Sequence, residues 1–251
     1  MHLSLLADGV RDSFDKSASI VIGRSDCSEL PTDWTAAVVG RGFDVASLYA
    51  EVDALYAGSV SPGSISPRRR EDVFRAFHHV PLAAVRIVII GEDPYPNPDQ
   101  ADGLAFSASH FFNGPRPTSL ARIFGSLRRD LNIEPTRSDL AGWADRGVLL
   151  INAALTHQSG SPSPDLRLWR SFTIAALSVV RGQKRPIAWL VWGEFANNVV
   201  DAIPVTNTAH RVFQNAHPRA GRASRETLAQ RPPFASASAF LGSDPIADWS
   251  L

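Results

Sequence analysis

Three short apolar segments, each leading into polar residues, constrain the fold of this chain more than any other feature. They span residues 85–90, 147–151 and 187–192 and end at Gly91, Asn152 and Gly193, and the two glycines are themselves followed by acidic residues. Near-continuous apolar runs of this length are typical of parallel strands that helices cover on both faces. The segments therefore predict the centre of an α/β protein.

The segments between and after these runs complete the predicted fold. Residues 119–131 and 168–181 are predicted helices, and a fourth strand is predicted at 205–212, ahead of His217. Strands that alternate with helices along a chain favour a parallel sheet. We predict a three-layer α/β sandwich with a central four-stranded, mainly parallel sheet flanked by helices.

The organisation of the chain indicates one domain over residues 1–251, because no repeat, low-complexity tract or linker interrupts it. Residues 1–60 are predicted to form a helical extension packed on that domain, with one helix at 44–56. A turn-rich break at 61–67 precedes a further predicted helix from Arg68 through His79.

Composition excludes several classes of protein. With 44% hydrophobic and 20% charged residues, the chain resembles ordinary globular proteins. No apolar run reaches the roughly 20 residues of a membrane span, and the start lacks the features of a secretory signal, so we expect a cytoplasmic protein. The single cysteine, Cys27, excludes a disulfide framework, and we expect neither a metal nor a cofactor.

The charge of the chain is balanced, with 25 basic and 25 acidic residues, but its distribution is uneven. Residues 207–231 contain five arginines and one acid, Glu226. A nucleic-acid interface needs local positive charge and not a basic whole, so net neutrality does not exclude DNA. On charge alone, this stretch is equally well a solvated loop.

Polar residues at the ends of the predicted strands are the candidate site, because ligands of parallel sheets bind beyond the carboxyl ends of the strands. Asp93 is held extended before Pro94, where its carboxylate could orient a water, act as a general base or stabilise a cation. An Asx turn is an equally good interpretation. The amide of Asn152 could match the carbonyl and N–H of a uracil edge, or could simply form a turn.

Three further candidate residues indicate a function only when they are considered together. His217 could, as a neutral imidazole, donate to an oxygen that becomes anionic, although lone histidines are more often structural. Phe106 could stack on a base, and Tyr95 could form the wall of a pocket. Taken singly, both aromatic residues are better explained as core packing.

The order and flanks of these residues resemble the uracil-DNA glycosylase superfamily, closest to its first family. The resemblance covers residues 72–225 and is carried by segments 72–77, 85–95, 100–107, 117–120, 147–152, 190–193 and 217–218. It implies a DNA repair enzyme that flips uracil out of DNA, single- or double-stranded, and hydrolyses its N-glycosidic bond. The product would be an abasic site, and the enzyme is expected to be a monomer that needs no metal.

The resemblance also implies a role for each candidate residue. Asp93 resembles the aspartate that activates water and His217 the histidine that stabilises the leaving uracil. Tyr95 would block a 5-methyl group, Phe106 would stack on the base, and Asn152 would read its edge. Glu92 would contribute to the uracil pocket mainly through its backbone N–H.

Residues that match the family's DNA-binding positions are Pro117, Thr118, Ser119, Gly193, Glu194, Pro218, Arg219 and Arg222. Several positions depart from the family pattern. Glu92, Pro96 and Glu194 stand where the family usually has glutamine, histidine and a phosphate-contacting serine. Gly221 replaces the leucine wedge. Arg219 and Arg222 are expected either to clamp phosphates or, in the case of Arg222, to fill the gap left by the flipped base, and the abasic product is expected to be held tightly.

Two other functions remain open from the sequence. The first is a non-catalytic binder of abasic or damaged DNA on the same scaffold, although a pure binder has no need of Asp93, Asn152 and His217 together. The second is a metal-dependent phosphoesterase with Asp93, Asp99, Asp102 and His110 as ligands. These residues have no recognisable ligand spacing, which disfavours the second function.

Overall fold

The structure, a computed structural model, describes residues 27–58, 64–160, 166–204, 208–220, 227–228, 231, 233–242 and 249–251. Its helices are α1 Thr32–Val39, α2 Val45–Ala57, α3 Arg75–His79, α4 Thr118–Leu131, α5 Ala141–Ala144, α6 Leu166–Arg181, α7 Glu194–Asp201 and α8 Pro233–Leu241. Its strands are β1 Ile65–Ser66, β2 Ile87–Gly91, β3 Val148–Asn152, β4 His157–Gln158, β5 Ile187–Trp192 and β6 His210–Asn215. Short 3-10 helices lie at Arg70–Asp72 and Leu82–Ala84.

A four-stranded parallel sheet in the order β3-β2-β5-β6 forms the centre of the molecule. Every residue of β2, β3 and β5 is buried. Because successive side chains of a strand point to opposite faces, helices must cover both faces of this part of the sheet. The predicted α/β sandwich is confirmed.

Parallel pairing brings the carboxyl ends of the strands to one edge of the sheet. Gly91 at the end of β2 is level with Asn152 at the end of β3, and Trp192 at the end of β5 is level with Asn215 at the end of β6. The loops that follow these residues therefore meet at the same edge.

The helices before the sheet pack on the same core as the sheet itself. Asp44 caps α2, because its carboxylate accepts hydrogen bonds from the backbone N–H groups of Ala46 and Ser47. Trp34 of α1 is fully buried, and its indole N–H donates to the carbonyl of Val80 at 2.8 Å. The predicted helix at 44–56 is confirmed, while residues 1–26 lie outside the described part of the chain.

The helix predicted from Arg68 through His79 is wrong. The segment forms a 3-10 turn at Arg70–Asp72 and the short α3 instead. Its surface arginines form ion pairs of small energetic value, such as that of Arg68 with Asp99 at 2.6 Å. The buried side chains of Val73, Phe74 and Phe77 pack in the core, and this packing overrides the local spacing that favoured one helix.

The prediction of a fourth strand is correct in kind but displaced. The strand begins at His210 and ends at Asn215 and not at 205–212, and residues 205–207 are not described. Its side chains are mostly only partly buried, unlike those of β3 at the opposite edge of the sheet. No sequence pattern predicts β1 and β4, which pair in a separate antiparallel sheet.

Candidate active site

A cavity of about 180 Å³ lies at the edge where the strand ends meet. Its wall includes eight residues predicted for the site, namely Glu92, Asp93, Tyr95, Phe106, Ser119, Asn152, His217 and Arg219. These residues come from five separate segments of the chain, and the parallel sheet brings together the three segments at the ends of β2, β3 and β6. Asp93 and His217 therefore face the same small volume, as the sequence predicts.

Asp93 lies just beyond β2 and is one quarter exposed. Its Oδ2 atom is 2.7 Å from Nδ1 of His157, a residue that the sequence analysis did not select. The His157 side chain is only 9% exposed. An ionised carboxylate can only accept hydrogen bonds, so the ring N–H of His157 donates to Asp93.

Asn152 ends β3 with its side chain buried against Gly91. A Cβ atom at position 91 would lie 2.1 Å from Asn152 Oδ1, so only glycine leaves room for this amide. Oδ1 is buried and accepts no hydrogen bond. A buried acceptor without a partner is costly, and it can be satisfied by a donor that enters the cavity.

His217 lies two residues after β6 and packs closely on Gly193. The backbone N–H of Arg219 donates to Nδ1 of His217 at 3.0 Å, so the proton of the neutral ring is on Nε2. Burial lowers the pKa of His217, and the positive charge of Arg219 lowers it further. A Cβ at Gly193, whose φ is +90°, would lie 2.8 Å from the His217 Cβ.

Phe106 and Tyr95 form an aromatic part of the wall. The Tyr95 hydroxyl donates to the carbonyl of Phe106 at 2.8 Å, and burial, with a smaller effect of Asp102, raises the pKa of Tyr95. The Phe106 ring lies 5.6 Å from the Trp192 ring and 6.4 Å from the His217 ring. Its φ of +63° is left-handed, which costs about 1–2 kcal/mol for a residue with a side chain. The surrounding contacts hold this strained backbone in place.

Glu92 and Pro96 also line the cavity, and both are exposed at its rim. Partial burial raises the pKa of Glu92, and the neighbouring charge of Asp93 raises it further. The carbonyl of Glu92 accepts a hydrogen bond from the backbone N–H of Ala154 at 2.9 Å, which ties the loop after β2 to the loop after β3.

Of the described residues predicted to bind DNA, Ser119 and Arg219 line the cavity and the others do not. Pro117 precedes α4, Thr118 begins it, and Ser119 reaches the cavity wall. Gly193 is the N-cap of α7 and Glu194 its first residue, and neither lines the cavity. Glu194 is exposed at this helix N-terminus, where an acid is favourable. Pro218 is buried and Arg219 is exposed, while Arg222 lies outside the described residues.

Arg122 holds the loop that carries His217, and the sequence analysis did not select it. From α4, its guanidinium donates to the carbonyls of Pro218 and Ala220 at 3.1 and 3.0 Å. The position of His217 therefore depends on α4 as well as on β6. The arginine content of α4 is the only sequence signal for this contact.

The four residues considered as metal ligands are engaged separately. Asp99 pairs with Arg68, and buried Asp102 pairs with Arg75 at 3.0 Å and accepts from Ser107 Oγ at 2.7 Å. The His110 ring lies 3.7 Å from the Phe111 ring, at an angle of 40°. Within the described ranges, no three His, Cys, Asp or Glu side chains are grouped as metal ligands would be. No helix in the same ranges is long and apolar enough to cross a bilayer.

The fold and the cavity define a class of protein: a parallel α/β sandwich that can enclose one small planar ring between an aromatic side chain, a buried amide, a carboxylate and an imidazole. Comparison with known proteins narrows this class. The model of the uracil DNA glycosylase superfamily matches residues 77–241. The chain belongs to this superfamily.

Relatives and solved structures agree with this assignment. The chain is 38% identical to a uracil-DNA glycosylase of Streptococcus pneumoniae (strain Hungary19A-6), over 74% of this chain and 84% of the relative. It is also 38% identical to one from Geobacillus sp. (strain WCH70), over 72% of this chain and 80% of the relative. The crystal structure of mimivirus uracil-DNA glycosylase has the same fold, with a TM-score of 0.73 at 22% identity over 90% of this chain and 91% of that one.

Proposed function

We propose that this protein removes uracil from DNA by hydrolysing the N-glycosidic bond, with Asp93 and His217 as its catalytic residues. The observation that carries the proposal is that a carboxylate and a neutral imidazole, with its proton on Nε2, line one small cavity. The uracil-DNA glycosylases to which the chain is 38% identical support uracil as the substrate.

Base recognition would follow the shape and polarity of the cavity. A base must leave the helix stack to enter, at a cost of a few kcal/mol that is smallest for a mispaired base. Phe106 would stack on the ring, and the amide of Asn152 would pair with the carbonyl and N–H of the uracil edge. Tyr95 would occupy the space next to the uracil 5-position and exclude thymine.

The chemistry needs two opposite charges to be stabilised. As the bond between C1′ and the base breaks, its electron pair goes to uracil, and the sugar becomes oxocarbenium-like. His217 would donate its Nε2 hydrogen to the uracil oxygen that gains negative charge, while the carboxylate of Asp93 would stabilise the sugar cation. Water would then add to C1′, transfer a proton to Asp93 and leave an abasic site.

Uracil release from oligonucleotides tests the proposal directly. Matched single- and double-stranded oligonucleotides carrying U, T or hypoxanthine should lose only uracil, and the rate should be unchanged by EDTA. Binding of abasic DNA without base release would instead favour the non-catalytic binder. Activity that EDTA abolishes would favour metal-dependent chemistry.

We also propose that the loop after His217 grips the DNA backbone and retains the abasic product. Arg219 is exposed at the cavity wall, and an abasic site needs no base to be flipped. Replacing Arg219 and Arg222 by alanine should weaken binding of abasic DNA and reduce the slope of log affinity against log salt by about 0.9 for each phosphate that is no longer neutralised. Titrations at several salt concentrations measure this slope.

A matched control for that experiment is Arg128→Ala. Arg128 is an exposed arginine in the last turn of α4 and pairs with Glu134. The Arg128→Ala substitution should leave the affinity for abasic DNA and its salt slope unchanged. If the loop variant keeps the slope of the wild type, the arginines are not phosphate clamps.

The charge state of His217 gives a separate prediction. Because burial and Arg219 both lower the pKa of His217, the ring should titrate below the usual histidine range. Arg219→Ala removes the positive neighbour, so the pKa of His217 should rise. As the pH falls, the ring should then become protonated at a higher pH than it does in the wild type. Ring-proton NMR titration measures both values.

His210 is the internal control for this titration. Burial also lowers the pKa of His210, but its charged neighbours are Arg181 and Arg185. Its titration should therefore be the same in the Arg219→Ala variant. A His217 titration that does not move would show that Arg219 does not influence the proposed catalytic imidazole.

We propose, finally, that the chain acts as a single monomeric domain. Supporting this, Trp34 of α1 and Leu48 of α2 belong to the same buried cluster as the strands of the sheet. Sedimentation of the full chain, alone and with a short oligonucleotide, measures the oligomeric state.

A further inference from the structure

Asp93 has a buried partner that comes from a different part of the fold. Nδ1 of His157 lies 2.7 Å from Asp93 Oδ2, which is within hydrogen-bond distance. The two residues are 64 positions apart in the chain, so the contact is a product of the fold.

The position of His157 is fixed from both sides. It lies in β4, which pairs with β1 so that His157 is opposite Ser66. Immediately before it, Thr156 Oγ1 accepts a hydrogen bond of 2.7 Å from the indole of the fully buried Trp169. Immediately after β4, the backbone N–H of Ser159 donates to the carbonyl of Ser64. The ring therefore has little freedom to leave Asp93.

We infer that His157 is a positioning residue for Asp93 in the proposed glycosylase reaction. By donating from Nδ1 to Oδ2, it fixes the rotation of the carboxylate and leaves Oδ1 to face the water and the sugar. The inference rests on the proposed function, since it concerns how the proposed catalytic carboxylate is oriented. His157 keeps its proton throughout, and the proton released by water goes to Asp93.

The contact also has an electrostatic consequence. The ring N–H directs its positive partial charge at Oδ2, so Oδ1 remains the oxygen that can stabilise the developing sugar cation.

The test compares two substitutions of the same residue. His157→Phe keeps a planar ring but removes the donor, whereas His157→Asn keeps an N–H near the position of Nδ1. We expect His157→Phe to slow single-turnover uracil release by up to about 100-fold, as small misplacements of catalytic groups do, with unchanged affinity for abasic DNA. His157→Asn should recover most of the rate.

A double-mutant cycle shows whether His157 acts through Asp93. On the Asp93→Asn background, His157→Phe should cause little further loss, because a residue that only orients Asp93 has nothing left to orient. An equal further loss on that background overturns the inference, as does a His157→Asn variant no faster than His157→Phe. Thermal unfolding of each variant shows whether the fold is retained.

His79 provides the matched control. His79 is the last residue of α3, and its Nδ1 lies 2.6 Å from Asp145, which follows α5. Neither residue lines the cavity, so His79→Phe removes a similar histidine–aspartate contact without touching the site. Its rate should equal that of the wild type. A loss as large as that of His157→Phe would overturn the assignment of a specific role to His157.

A spectroscopic measurement keeps the inference separate from the proposed function. The N–H of a buried imidazole that donates to a carboxylate should give a protected downfield proton resonance, which His157→Phe abolishes and Asp93→Asn shifts. If the wild type releases no uracil, the proposed function fails, while this resonance still reports the contact. If the resonance is absent or does not respond to Asp93→Asn, the positioning role is overturned.

Discussion

Asp93→Asn should reduce single-turnover uracil release by about 10³-fold, within the range that loss of a general base or charge stabiliser produces. The substitution is nearly isosteric and keeps the side chain within reach of His157, but it removes the negative charge that the sugar cation needs. Affinity for abasic DNA should be unchanged or higher, because the uncharged amide no longer repels the phosphates. Quenched-flow assays and binding titrations measure the two quantities.

Asp99→Asn is the control for this substitution. Asp99 lies in the same loop but is exposed and pairs with Arg68 outside the cavity wall. Its rate should match that of the wild type. If Asp93→Asn releases uracil as fast as Asp99→Asn, the carboxylate of Asp93 is not catalytic and the proposed mechanism fails.

Asn152→Ala should remove most of the discrimination between uracil and cytosine, which a site of this kind can hold at about 10⁴-fold. The physical reason is the buried Oδ1 atom, which accepts no hydrogen bond within the protein. Uracil would supply the missing donor, whereas cytosine presents the reversed pattern and leaves buried groups unpaired. Asn152→Ala should lose the discrimination between uracil and cytosine, because alanine has no side-chain donor or acceptor that the base must pair with.

The measurement is the ratio of kcat/KM for matched oligonucleotides carrying uracil or cytosine. Asn113→Ala, at an exposed asparagine in the loop before α4, serves as the control and should keep the wild-type ratio. An Asn152→Ala variant with an unchanged ratio would show that the base edge is read elsewhere. Gly91→Ala should mimic Asn152→Ala, because the added methyl displaces the amide.

The central sheet could be predicted from the sequence because its strands are apolar on both faces. β2, β3 and β5 are fully buried, so their runs of aliphatic and tryptophan residues are unambiguous. β6 is half-exposed and mixes polar and apolar residues, which is why its predicted bounds are displaced. The prediction for segment 68–79 fails for a different reason, since burial of Val73, Phe74 and Phe77 in the core, and not local spacing, decides its conformation.

The part of the candidate site that lies at the strand ends could be predicted together with the sheet. Asp93, Asn152 and His217 follow strand ends, and parallel topology is enough to bring strand ends together. His157 is not predictable because its place depends on a two-residue strand pairing with another in a turn-rich segment. Arg122 could not be predicted because it contacts a loop 96 residues away, and no pattern in the neighbouring sequence indicates such a contact.

The edge position of β6 gives the imidazole a different kind of support from the carboxylate. Asp93 follows β2, which has a strand on either side, whereas His217 follows β6, which has a neighbour on one side only. The imidazole is held instead by close packing on Gly193 and by the carbonyls of Pro218 and Ala220, which accept hydrogen bonds from Arg122 of α4. A change in α4 can therefore shift the imidazole while the carboxylate stays in place.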